Sequence, residues 1–230
     1  MRLKQKRAEQ SKILYIRSEP EVKPPFKERV RYMFRIMTNP FEALYEIRYR
    51  NYGSLLLAFL CIFVLSVSFT MNRIYAGFIV NDINPRYVDA LTDLTGIVVV
   101  LGLFCLGNWS VTSLLDGEGR MRDIVTVMGY AMLPIIFVLI PATIISNIVA
   151  EEEAALYFLL IGIGLAWTGI LLLVGIMTIH NYTFLKTLIT VVLTFIAVLI
   201  IVFITLLIFD LINQIYMFLY SIYTELIFRF

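Results

Sequence analysis

The chain has 230 residues, of which 60% are hydrophobic, and a mean hydropathy of +0.86. Soluble domains run at about 45–50% apolar, so this excess belongs in a bilayer and excludes an ordinary soluble domain. The net charge of +2 hides an asymmetry: residues 1–50 hold 13 Lys/Arg against 6 Asp/Glu, and the rest of the chain holds 6 against 11. A basic head on a membrane protein suits an anionic cytoplasmic leaflet; with no recognition motif beside it, no nucleic-acid partner is expected.

Residues 1–25 are charged and carry Pro20, Pro24 and Pro25. They are expected to form a flexible basic cytoplasmic tail; lacking an apolar core, they are not a signal peptide. Residues 26–52 are expected to form amphipathic helices. In the first, Phe26, Val30, Met33, Phe34 and Met37 recur at helical spacing, while Lys27, Arg29, Arg31 and Arg35 lie mostly off that face. Such a helix either lies in the membrane interface, with its cations on anionic lipid, or packs on the protein's own cytoplasmic side. Next, Asn39-Pro40-Phe41-Glu42 predicts a helix start: Asn39 as cap, Pro40 at the first position and Glu42 placed for a capping box. Ala43, Leu44 and Ile47 are expected to face the membrane and Glu46, Arg48 and Arg50 water. This helix is expected to run into the first crossing.

The crossings follow from gaps between charges. Arg50 to Arg73 encloses 22 uncharged residues, Asp93 to Asp116 encloses 22, Asp123 to Glu151 27, Glu153 to Lys186 32 with His180 neutral, and Lys186 to Asp210 23. A spanning helix needs about 20 residues, so each gap holds one crossing and none holds two. The chain is therefore predicted to be an all-α membrane protein with five transmembrane helices in residues 53–210. In the third crossing Pro134 and Pro141 are two turns apart and are both expected to kink the same face. Residues 211–230 are too short between charges for a sixth crossing and are predicted to be a separate amphipathic helix on the outer face, with Tyr216, Tyr220 and Tyr223 at headgroup level.

Loop charge orients the whole. The basic N-terminus, the loop DGEGRMRD with Arg120 and Arg122, and the connection from His180 to Lys186 are expected inside. The Arg73–Asp93 loop, Glu151-Glu152-Glu153 and the C-terminus are expected outside, in a cell membrane.

Chemistry is sparse. The centres of the spans hold no Asp, Glu, Lys or Arg, which argues against a proton relay, paired-carboxylate catalysis or a zinc hydrolase. His180 is the one histidine and has no Gly-x-Ser-x-Gly elbow to serve. Cys61 and Cys105 read as apolar filler. No catalytic residue, metal site or cofactor is expected. Gly117 and Gly119 lack the rest of a phosphate-loop pattern and are read as turn residues that supply positive φ. The sequons at Asn108 and Asn181 fall within a span or on the inner side and are not expected to be modified. Gly162, Ala166 and Gly169 form a small-residue stripe, read as close packing within the monomer in preference to dimerisation.

Three segments carry a resemblance. GEGRMRDIVTVMGYAMLP, with Gly117, Gly119, Arg120, Tyr130 and Pro134, resembles the Gly-rich loop and Tyr-Ala-x-x-Pro of the Yip family of membrane domains, the Ypt/Rab-interacting proteins and their bacterial relatives. WTGILLLVGIMTIHNYTFLK, with Trp167, His180 and Lys186, is similar to that family's Trp, apolar run, His and Lys before the last crossing. NPFEAL, with Asn39 and Pro40, is similar to the segment ahead of the first span in bacterial members. The resemblance runs from about residue 39 to 210. It implies a five-span helical domain with a cytoplasmic N-terminus. Eukaryotic members resemble Rab-binding adaptors of vesicle traffic, but the short basic head here looks bacterial, so that role does not transfer. The expected function is a non-enzymatic scaffold or accessory subunit with a membrane-protein partner. The alternative is a channel or lipid-handling protein, with Asn108, Ser110, Thr112, Ser113 and Thr126 lining a cavity.

Overall fold

The computed structural model describes residues 24–50 and 52–229; the expected tail of residues 1–25 falls almost wholly outside them. The described residues form α1 (Phe26–Arg35), α2 (Pro40–Tyr49), α3 (Leu55–Tyr75), α4 (Ala90–Leu114), α5 (Met121–Ala131), α6 (Leu133–Ser146), α7 (Ala154–His180) and α8 (Phe184–Arg229). Five helical segments are long and apolar enough to cross a membrane: α3, α4, α5 with α6, α7 with the 3-10 turn before it, and α8. The protein is thus the all-helical, five-span membrane protein that the charge gaps predict.

The third span is the centre of the bundle. Of its most apolar window 72% is buried, against 6% for the fifth span. Around it close Leu44 and Ile47 of α2, Leu57, Ala58 and Cys61 of α3, and Leu171, Ile176 and Ile179 of α7. Gly129 lets α3 approach this centre: a Cβ there would lie 2.6 Å from the Ala58 carbonyl oxygen. Gly175 does the same for α7, facing Val127. Small residues at such crossings bring helix backbones into van der Waals contact, the main attraction between helices in lipid.

Pro134 breaks the third span. It is the second residue of α6, and α5 ends just before, at Ala131. Without an N–H, Pro134 cannot bond the carbonyl one turn back. Pro141 sits inside α6, which continues past it to Ser146.

Several local expectations are corrected. Asn39 stands at the N-cap of α2 but makes no side-chain cap bond. Glu42 ion-pairs instead with Arg35 of α1, at 2.7 Å, which ties the two short helices together. Ala43, Leu44 and Ile47 face the protein core rather than lipid. The helix stops at Tyr49 and does not run into the first span. The Tyr130 hydroxyl holds the following turn, accepting from the Ser54 N–H at 3.1 Å and donating to its carbonyl at 3.3 Å.

The stripe of Gly162 and Ala166 points outward, and a Cβ at Gly162 or Gly169 would meet nothing within 4 Å. It therefore does not pack within the monomer; Gly164 and Gly175, on the other face, do. The expected separate helix at 211–230 is also absent as a separate element, because α8 runs unbroken for 46 residues. No Gly or Pro interrupts residues 184–229. At about 1.5 Å per residue the helix is roughly 69 Å long, more than twice a hydrocarbon core of about 30 Å. Its first turns pack on α4 through Thr187, Thr190 and Thr194, all buried, and the Asn108 amide donates to the Thr194 hydroxyl at 3.2 Å.

At the opposite end of the bundle from the Gly-rich loop, the helix ends are locked by polar groups. The Arg73 guanidinium pairs with buried Asp93, which also accepts from the Thr70 hydroxyl at 3.0 Å. Asn72 donates to Thr143 at 2.8 Å and accepts from the Tyr157 hydroxyl at 3.0 Å. The Ser146 hydroxyl accepts the Gly77 N–H at 2.9 Å.

Candidate functional site

Two helix ends of the same design face each other at the other end of the bundle. The chain leaves α4 through Asp116 and α7 through Asn181, both left-handed with φ of 55°. In each case an N–H beyond the turn bonds back into the last helical turn: Gly117 to the Thr112 carbonyl at 2.8 Å and Tyr182 to that of Met177 at 3.0 Å. Asn and Asp are the non-glycine residues that tolerate this conformation best. The two reversals set the loop 115–120 against residues 180–186.

The contact between them is intimate. The Gly119 N–H donates to His180 Nδ1 at 3.2 Å. A Cβ at Gly119 would lie 2.6 Å from His180 Cε1, and one at Gly117 would lie 2.6 Å from Nδ1 and 2.7 Å from the Tyr182 hydroxyl. Neither glycine has a positive φ. Their expected role as turn residues is therefore wrong: Asp116 makes the turn, and the glycines let the loop lie on the imidazole edge.

Four further side chains grip the loop. The Leu115 carbonyl, at the end of α4, accepts from the Tyr182 hydroxyl and from Lys186 Nζ, each at 2.9 Å. Lys186 Nζ also sits 4.1 Å above the Tyr182 ring, which stacks on His180 at 5.4 Å. Burial, and after it the Asp116 carboxylate, push the Tyr182 phenol above its ordinary range, so it stays a donor. From α2, Arg48 Nη2 donates to the Glu118 carbonyl at 3.2 Å and to its carboxylate at 3.0 Å. At the start of α5 the Asp123 carboxylate accepts the Arg120 N–H and Nε–H at 3.3 and 3.2 Å.

His180 is 1% exposed. Because Nδ1 accepts an amide N–H, the neutral ring carries its hydrogen on Nε2. That Nε2 and Arg48 Nη1 are buried donors without a partner among the described residues. Such groups cost free energy when left unpaired, so they mark where the clamp is least satisfied.

The structure thus brings together Gly117, Gly119, Arg120, His180 and Lys186. It does not bring the other motif residues there. Tyr130 secures the turn before α3, Pro134 breaks the third span, and Trp167 lies on the outward face of α7. Asn39 and Pro40 start α2. Arg48 and Leu115 were missed because their contacts join positions some 70 residues apart, and no local pattern announces such pairs; Asp116 was missed because the glycines beside it are the more usual residues for the left-handed turn that it makes.

Of the membrane-surface residues, Phe26, Lys27, Arg31 and Phe34 are exposed on α1. Arg29 donates to the Pro24 carbonyl at 3.0 Å, and Arg35 is paired with Glu42. Met33 of the same helix and Ile36 just after its end are buried in the bundle, with the Cys61 thiol 3.5 Å from the Met33 sulfur. The expected channel lining does not assemble. Asn108 and Thr112 are buried in packing, Ser110 and Ser113 are exposed, and Thr126 faces Gly53.

A family model described as the Yip1 domain matches residues 34–207, from the last turn of α1 to where α8 has left the bundle. No curated protein and no solved structure matches the chain.

Proposed function

The chain belongs to the Yip1-domain family, and from that premise we propose that it is a non-enzymatic scaffold or accessory subunit that binds another membrane protein. One observation carries this reading. The motif residues at the loop end are engaged with one another: Gly117 and Gly119 lie on His180, and Lys186 is bonded to the Leu115 carbonyl. Groups used in this way build a fixed surface. They are not aimed at a reacting molecule, as catalytic groups must be.

In this reading the protein sits in the cell membrane with its N-terminus and the 116–123 loop in the cytoplasm. Glu151–Glu153 and the C-terminus are outside. Loop charge supports the orientation. The exposed Lys27 and Arg31 of α1 then lie at the inner leaflet, where each cation near anionic lipid is worth about 1 kcal/mol.

Purification in mild detergent tests the partner role. A second protein in fixed stoichiometry supports it. A chain that purifies alone and by itself moves lipid or ions across vesicles overturns it. Orientation is tested separately, by impermeant thiol labelling after Cys61 and Cys105 are replaced. Glu152→Cys should label from outside and Arg122→Cys should not; the opposite pattern inverts the topology.

A further inference from the structure

A cavity of about 300 Å³ lies between α3 and α4, and the function proposed above makes no use of it. Phe59 of α3 and Val98, Gly102 and Leu106 of α4 line its length, and Met121 and Val125 of α5 close the end nearest the Gly-rich loop. Its walls are almost wholly apolar. Val98 and Leu106 are exposed on its rim, so it opens sideways where the membrane lies. Gly102 shapes it: a Cβ there would meet nothing within 4 Å.

The geometry points to a binding site for one acyl chain of an anionic phospholipid, with the lipid phosphate held at Arg122. Val98 to Leu106 is roughly 12 Å of helix, close to the depth of one leaflet of a core about 30 Å thick. A peptide is a poor occupant. Its backbone polar groups would have to be satisfied within the segment, and a helix about 10 Å across does not enter 300 Å³. An alkyl chain has no polar group to satisfy.

Charge picks the headgroup. Arg122 is exposed, stands between Met121 and Val125, and makes no ion pair among the described residues. Arg120 beside it is also exposed and, among the described residues, is paired only with Asp123. At the far end of the same two helices, the guanidinium of Arg73 is already taken by Asp93. The loop end is therefore where a phosphate finds a free cation. This site requires no protein partner, so its test and that of the scaffold reading can fail independently.

The test uses the full chain in lipid nanodiscs carrying trace phosphatidylglycerol, or phosphatidylcholine, with a photoactivatable diazirine on one acyl chain. Cross-links should concentrate in peptides containing Phe59, Gly102 and Val125. Phosphatidylglycerol should label there about fivefold more than phosphatidylcholine, the equivalent of about 1 kcal/mol for one cation. Gly102→Phe should cut this labelling several-fold, and Gly162→Phe, on the open face of α7, should not. Arg122→Gln should equalise the two lipids. If Gly102→Phe lowers the unfolding temperature, Val98→Trp serves as the second filling variant. Labelling spread evenly over all spans, unchanged by both filling variants, or equal for the two lipids in the unaltered protein would overturn the proposal.

Discussion

The Gly119 N–H donates to His180 Nδ1 at 3.2 Å across 61 residues of sequence. This bond joins the loop between the second and third spans to the end of the fourth, and it sets the terms of the first two predictions.

Replacing His180 with Leu removes the acceptor and leaves the Gly119 N–H unpaired. The expected loss is about 1–3 kcal/mol. Asn places a carbonyl oxygen near the former Nδ1 and should recover part of that loss. Thermal unfolding of both variants in one detergent checks this; a Leu variant as stable as the unaltered chain would remove the clamp from the account.

Gly119→Ala should destabilise by about 1–3 kcal/mol through overpacking, because the added methyl would press on the imidazole at 2.6 Å. The cause is the neighbour, since φ at Gly119 is not positive. Combining Gly119→Ala with His180→Ala should therefore cost less than the sum of the two, by about 1 kcal/mol or more. Strict additivity in a double-mutant cycle would return the glycine to a backbone role.

Gly129→Ala and Gly162→Ala place the same methyl on two spans. At Gly129 it would meet the Ala58 backbone at 2.6–2.7 Å, which cannot swing aside as a side chain can. The expected cost is about 3 kcal/mol, at the upper end for overpacking. At Gly162 nothing lies within 4 Å, so the change should stay within about 0.5 kcal/mol. Unfolding temperatures measured side by side check the contrast. Equal losses would mean that α7 has another face turned inward.

Asp93→Asn should unlock the far end of the first two spans. It removes the partner of Arg73 while Asp93 is only 7% exposed. Removing one member of a buried pair costs about 3–5 kcal/mol, and Arg73, partly exposed, should bring this toward 3. Thr70→Val, which removes one neutral hydroxyl, should cost about 1 kcal/mol. Proteolysis in the 76–89 loop is a suitable readout and should rise more for Asp93→Asn.

The two sides of α1 should separate in experiment. Met33 is 6% exposed and Phe34 is 44% exposed. Met33→Asp buries an unpaired charge and should lower stability in detergent by several kcal/mol. Phe34→Asp should do little there, losing only its approach to the Phe137 ring at 6.0 Å. A nitroxide at Phe34→Cys should instead sit deeper in anionic than in neutral proteoliposomes. Equal depth would leave α1 as a packed helix with no role at the leaflet.

The five crossings were legible in the sequence because they depend on a one-dimensional quantity, the length of chain between charges. The break at Pro134 was legible for the same local reason: a missing N–H acts within one turn. So was the helical face of 26–37, though not its division between core and exposed surface. Even the unbroken α8 had a local signal, the lack of Gly and Pro after residue 183, which the charge at Asp210 obscured. Tertiary structure alone decided which side of each span turns inward. In a bilayer both sides are apolar, so hydropathy does not separate lipid-facing from protein-facing residues; Gly162 and Gly164 are both small, yet only Gly164 packs. It alone decided the clamp as well. Arg48, Leu115, Asp116 and Tyr182 matter because two left-handed helix ends and a short N-terminal helix meet at one place, and that meeting is a property of the packed bundle.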